Sequence, residues 1–162
     1  MTASTAGSHV TKPTIVEAAF TRQLKAPRAL VWRAWTDPVM LARWWGPHGF
    51  TNPRCEIDPR VGGEIFIHMQ APDGMVHPMR GTIREIEPEK RLVFVAVAED
   101  RDGKPLLESL TTVTFEDSGG GTKLTIQARG TSIEPIGAEM LGGMNEGWSQ
   151  SLVRLTALLH QR

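Results

Sequence analysis

His68 and His77 are the side chains in this sequence whose type best suits proton transfer near neutral pH. His68 lies in the run Glu64-Ile65-Phe66-Ile67-His68-Met69-Gln70. Strand alternation puts Glu64, Phe66, His68 and Gln70 on one face and Ile65, Ile67 and Met69 on the other. Both faces carry apolar groups, so two orientations satisfy the pattern. With the Phe66 face inward, His68 is a general acid or base and Gln70 and Arg80 are polar contacts for a guest. With the other face inward, His68 is a surface or structural residue. His77 stands beside Pro78 near a turn, where a structural role is the simpler expectation.

Other reactive arrangements are missing. His48 and Cys55 have no partners at metal-ligand spacing, and His160 is close to the C-terminus, so no metal or cofactor is expected. No Gly-x-Ser-x-Gly nucleophile motif occurs. Gly119-Gly120-Gly121 reads as a hairpin tip and not a phosphate loop, because no helix opening with Lys-Ser/Thr follows. Cys55 reads as a small buried hydrophobe.

A different signal comes from tryptophan and methionine. Trp44 and Trp45 are adjacent on a helix and point about 100° apart, so one can pack under a sheet while the other rims an opening. Trp32 and Trp35 form an aromatic face, and Trp148 sits within an apolar stripe. Met40, Met69, Met75, Met79, Met140 and Met144 supply unbranched side chains that adapt to varied apolar guests.

These residues must be positioned by one domain, since 162 residues is an ordinary single-domain length. Lys+Arg and Asp+Glu both number 18, giving a formal net charge of zero. That excludes the global basic field of a nucleic-acid or anionic-membrane binder. A single cysteine allows no intrachain disulfide. No apolar run approaches the ~20 residues of a membrane span, and the start of the chain lacks a signal-peptide core, so a cytoplasmic location is expected. Residues 1–14 read as a flexible tail and 15–162 as the domain.

Along the chain, Ile15 to Leu24 leans to strand, and Pro27 and Asp37-Pro38 open two short helices. From Phe50 the period becomes two, and six short strands follow. Asp73-Gly74 and Asp102-Gly103 mark hairpins among them. From Pro135 the apolar residues Ile136, Met140, Leu141, Met144, Trp148, Leu152, Leu155, Leu158 and Leu159 form a helical stripe. Gly137, Gly142, Gly143 and Gly147 disfavour helix in its first half. Either that half is irregular or small residues leave space beside it. The fold class is α+β: a curved antiparallel sheet of about seven strands around a long C-terminal helix.

The segment Asp37-Pro38 through Arg43-Trp44-Trp45-Gly46-Pro47, followed by Asp58-Pro59-Arg60-Val61-Gly62-Gly63, resembles the activator-of-heat-shock-protein-90-ATPase homologue family. Gly81-Thr82-Ile83, Arg91-Leu92-Val93-Phe94 and Gly147-Trp148 agree with it. That family belongs to the START/birch-pollen-allergen-like superfamily, also called SRPBCC, whose fold is the helix grip. The superfamily includes lipid carriers, polyketide cyclases and hormone receptors, so the resemblance implies an internal cavity more firmly than a reaction. Name-giving members carry an additional chaperone-binding domain, for which this length has no room.

The leading expectation is a protein that holds an apolar or amphipathic small molecule between sheet and helix, stabilised by roughly 25 cal/mol per Å² of apolar surface buried. Expected wall residues are Trp35, Trp44, Phe66, Phe94, Val113, Phe115, Leu124, Ile126, Met140, Met144 and Trp148, with His68, Gln70 and Arg80 as polar contacts. The alternatives are a cyclase-, dehydratase- or hydrolase-like enzyme using His68, and a protein-interaction role including chaperone ATPase activation. A homodimer is compatible with each.

Overall fold

The computed structural model describes residues 12–160. Seven antiparallel strands form one sheet in the order β1-β7-β6-β5-β4-β3-β2. They are β1 (Ile15–Leu24), β2 (Thr51–Ile57), β3 (Glu64–Gln70), β4 (Val76–Glu87), β5 (Arg91–Glu99), β6 (Pro105–Ser118) and β7 (Gly121–Ser132). The meander β2 to β7 is built from successive hairpins, and β1 closes on β7 from Ile15↔Thr131 to Leu24↔Thr122. The expected tail over 1–11 lies outside the described residues. Thr14 continues the ladder, exchanging hydrogen bonds with Ser132.

Two short helices, α1 (Arg28–Thr36) and α2 (Pro38–Trp44), follow β1. Asp37 caps α2 by accepting from the Val39 N–H at 2.9 Å, with Pro38 at the first turn. Pro27 precedes α1 as its N-cap instead of occupying the first helical position. The C-terminal stripe is two helices, α3 (Pro135–Leu141) and α4 (Met144–Leu159). The Gly142-Gly143 pair separates them, so this half is irregular.

Side-chain size along the inward sheet face decides where the core is solid. At one end β4 to β7 present Ile83, Leu92, Phe94, Val113, Phe115, Leu124 and Ile126, all buried beneath α1, α2 and α4. Towards the other end the same strands present small groups: Ala96 and Ala98 on β5, Ser109 and Thr111 on β6, Ala128 and Gly130 on β7. The register sets these groups side by side, with Ala96↔Ser109, Thr111↔Ala128 and Ser109↔Gly130. The sheet is therefore lined thickly at one end and thinly at the other. At Gly130 the approach is close enough that a Cβ would overlap the Leu141 side chain, so α3 lies directly on β7.

Candidate ligand cavity

The thin end of the sheet and the helices above it border a cavity of about 390 Å³ that opens to solvent. Its floor is Phe94, Ala96 and Ala98 on β5 with Leu107, Ser109 and Thr111 on β6. Met69, His77 and Met79 form one side, and Met140, Met144 and Trp148 form the roof. Trp45, Pro47 and Phe50 close the remaining side. Among the described residues, none of those lining it is Asp, Glu, Lys or Arg. A second depression of about 440 Å³ lies on the outer face of β1, β6 and β7. It has no aromatic wall and is bordered by Glu17 and Arg129, so the cavity under the helices is the better ligand site.

The aromatic wall is a packed unit. Trp45 meets Trp148 edge-on at 5.5 Å and Phe94 at 6.4 Å between ring centroids. Trp35 lies behind both tryptophans, stacked on Trp148 at 6.2 Å and edge-on to Trp45 at 6.4 Å. Trp44 is turned into the core, where its Nε1–H donates to the Ala34 carbonyl at 2.8 Å. Adjacent helical positions thus send one indole to the cavity and the other to the core.

Arg154 fastens this wall. Its Nη1 donates to the carbonyls of Trp45, Gly46 and Pro47 at 3.0, 2.9 and 3.1 Å, and its Nη2 donates to Arg43 at 3.2 Å. These are carbonyls at and just past the end of α2, which have no intrahelical donor. Burial lowers the guanidinium pKa from its ordinary value, yet arginine stays charged at neutral pH. The Ser151 hydroxyl accepts from the Gly46 N–H at 3.1 Å, and Gln150 Oε1 accepts from the His48 N–H at 3.0 Å. Gly46 has φ +95°, which favours glycine, and a Cβ there would come within 3.2 Å of Met69 Cε.

The profile of the family described as Activator of Hsp90 ATPase homolog 1-like protein matches residues 25–160. The chain belongs to this family. Solved structures agree with the assignment. A crystal structure of a Chromobacterium violaceum protein is 31% identical, with TM-score 0.72, over 90% of this chain and 98% of that one. A Nitrosomonas europaea protein is 28% identical, with TM-score 0.73, over 89% and 94%. A solution structure from Arthrobacter aurescens is 28% identical, with TM-score 0.75, over 88% and 85%. No curated protein matches the sequence.

Within this activator-of-Hsp90-ATPase-homolog-1-like chain, the residues expected at the site divide into three groups. Phe94, Met140, Met144 and Trp148 line the cavity. Trp35, Trp44, Val113, Phe115, Leu124 and Ile126 are inward but lie in the solid core beyond it. Phe66, His68, Gln70 and Arg80 are placed on the outer face, which corrects the Phe66-inward orientation for these four. The reason is the burial of Ile65 and Ile67 beneath the helices, with Met69 following them to the cavity. Phe66 instead lies between two guanidinium groups, Arg54 at 4.1 Å and Arg80 at 4.7 Å from its ring centroid. His68 stands 4.8 Å from the same ring, and Gln70 donates to the Gly74 carbonyl across its hairpin at 3.4 Å.

The imidazole that reaches the cavity is His77, half-buried with its ring 6.0 Å from Phe50. Trp45, Met69 and Met79, which the tryptophan pair and the methionine signal pointed to, are further wall residues, as are Phe50, Ala96, Ala98, Ser109, Thr111 and Ser151, for which the sequence carried no expectation. Trp45 was recognisable as one of a divergent pair. The small residues had a weaker signal, since Ala and Ser on a strand mark a cavity only when neighbouring strands also present small groups. His160, expected at a frayed end, accepts from the Lys25 N–H through Nε2 at 2.9 Å. Cys55 is half-buried; burial, reinforced by Glu56, pushes its thiol up to about 11.

Proposed function

We propose that this protein binds an apolar or amphipathic small molecule in the cavity between the sheet and α3–α4. The observation that carries the reading is a pocket of about 390 Å³, open to solvent at its mouth and walled by four methionines and four aromatic rings, with no Asp, Glu, Lys or Arg among the described lining residues. At ~30 Å³ per water-sized unit, that volume fits a guest of on the order of 13–20 non-hydrogen atoms. Burial of apolar surface supplies the affinity, and the methionines adapt to the guest's outline. His68 lies beside Phe66, away from the cavity, and the imidazole at the cavity wall is that of His77.

Native mass spectrometry of protein purified without detergent tests the reading, followed by denaturing release and by calorimetric titration with 2-methylnaphthalene. A discrete co-purifying compound, or saturable one-to-one binding of the hydrocarbon, is the expected result. A clean protein mass together with no heat of binding contradicts it.

A further inference from the structure

We infer that Ser109 and Thr111 read a hydrogen-bonding group on an uncharged, ring-containing ligand, an inference that rests on the binding reading above. The inward positions of β6 run Leu107, Ser109, Thr111, Val113 and Phe115, so two hydroxyl residues interrupt an otherwise apolar row. Both line the cavity, and Thr111 is 1% exposed. They are two residues apart on one strand face, about 7 Å along the chain. Phe94 lies opposite Thr111, and Ala96 lies opposite Ser109, so apolar groups flank both.

These hydroxyls are polar groups on a floor that is otherwise mostly apolar, each able to donate and accept a hydrogen bond, and valine would fill the Thr111 position without that capacity. A ligand hydroxyl or carbonyl lying over β6 supplies such a bond. The Ser151 hydroxyl, by contrast, already accepts from the Gly46 N–H and fastens the loop. The scarcity of charge in the lining sets the second half of the specificity. A carboxylate or ammonium entering the cavity would lose its water with no Asp, Glu, Lys or Arg to meet it, His77 at one side being the one ionisable side chain among the described lining residues. The ring follows from the wall: Trp45, Trp148 and Phe94 already meet one another at 5.5 and 6.4 Å, and a flat guest extends that cluster.

Calorimetric titration with three compounds of one shape tests the inference: 2-naphthalenemethanol, 2-methylnaphthalene and, at pH 7.5, 2-naphthoate. The full chain is compared with the double variant Ser109→Ala/Thr111→Val. The alcohol is expected to bind the wild type at least tenfold more tightly than the carboxylate. The double variant is expected to lose threefold or more in affinity for the alcohol while holding the hydrocarbon within twofold, with a melting temperature equal or higher. A preference for the alcohol over the carboxylate below tenfold overturns the inference. So does a loss for the alcohol below threefold, or an equal loss for the hydrocarbon. If the double variant does not fold, Ser109→Ala at its half-buried position is read by the same criteria. If none of the three compounds binds, the inference is overturned, and if the purified protein also carries no small molecule the cavity-binding reading itself fails, a result separable from a failure of selectivity.

Discussion

Replacing Arg154 by Met removes the group that ties the Trp45-Gly46-Pro47 loop to α4 while keeping an apolar stem. In the wild type one guanidinium serves four carbonyls at 2.9–3.2 Å. Nη1 has only two hydrogens, so its three acceptors share them and the contacts amount to about three full bonds. Hydrogen bonds to a charged donor reach about 1.5–3 kcal/mol each when buried, but water can reach this partly exposed side chain, so we take ~0.5–1 kcal/mol per bond. The expected loss is about 1.5–3 kcal/mol, or roughly 4–10 °C in melting temperature for a chain of this size. Urea unfolding followed by far-UV circular dichroism measures it. Arg154→Lys should recover less than half, because an ammonium is a point donor and cannot span carbonyls from Arg43 to Pro47. A loss below about 0.5 kcal/mol for Arg154→Met would show that solvent, with Asn52 on the Trp45 carbonyl and the Phe50 N–H on the Pro47 carbonyl, serves this loop equally well, and would refute the fastening role.

Three further outcomes follow from the packing. Gly137→Ala would drive a Cβ into the Leu106 backbone carbonyl, so it should destabilise by about 1–3 kcal/mol in denaturant titration. Ala98→Phe projects a ring into the cavity and should reduce 2-methylnaphthalene affinity at least tenfold while leaving the melting temperature equal or higher. Cys55 has its thiol pushed up to about 11, so at pH 8 it should react with iodoacetamide at least tenfold more slowly in the native protein than in urea. The sign is fixed by the neutral thiol being favoured in the fold: its stabilising contribution is intact below the ordinary value of 9.0 and is lost as pH rises through about 11.

Local chemistry was legible in the sequence. Asp37-Pro38 names its own helix start, and Asp73-Gly74 and Asp102-Gly103 name their turns, with Gly74 and Gly103 at φ 90° and 83°. The face of β3 was not legible, because Ile65, Ile67 and Met69 compete with Phe66 for the interior on apolar character alone. The helices bury Ile65 and Ile67, and Arg54 and Arg80, one on each neighbouring strand, cover Phe66 from outside. Nothing local to β3 carries that information. The cavity is non-local in the same way. Ala96 and Ser109 are unremarkable singly and create space only because the β5-β6 register sets them opposite each other. The break after α3 was half-legible: glycines flagged a weak helix, while packing of Leu141 against Gly130 fixed where α3 lies.

The most direct test of the cavity is methyl NMR with methionine labelled as ¹³CH₃, titrated with 2-methylnaphthalene. Met69, Met79, Met140 and Met144 line the cavity, whereas Met75 is 52% exposed on a hairpin and Met40 packs against the core from α2. Binding in the cavity predicts saturable shifts at the four lining methyls, with Met40 and Met75 unmoved. Shifts confined to Met75, or none at saturating hydrocarbon, would contradict it.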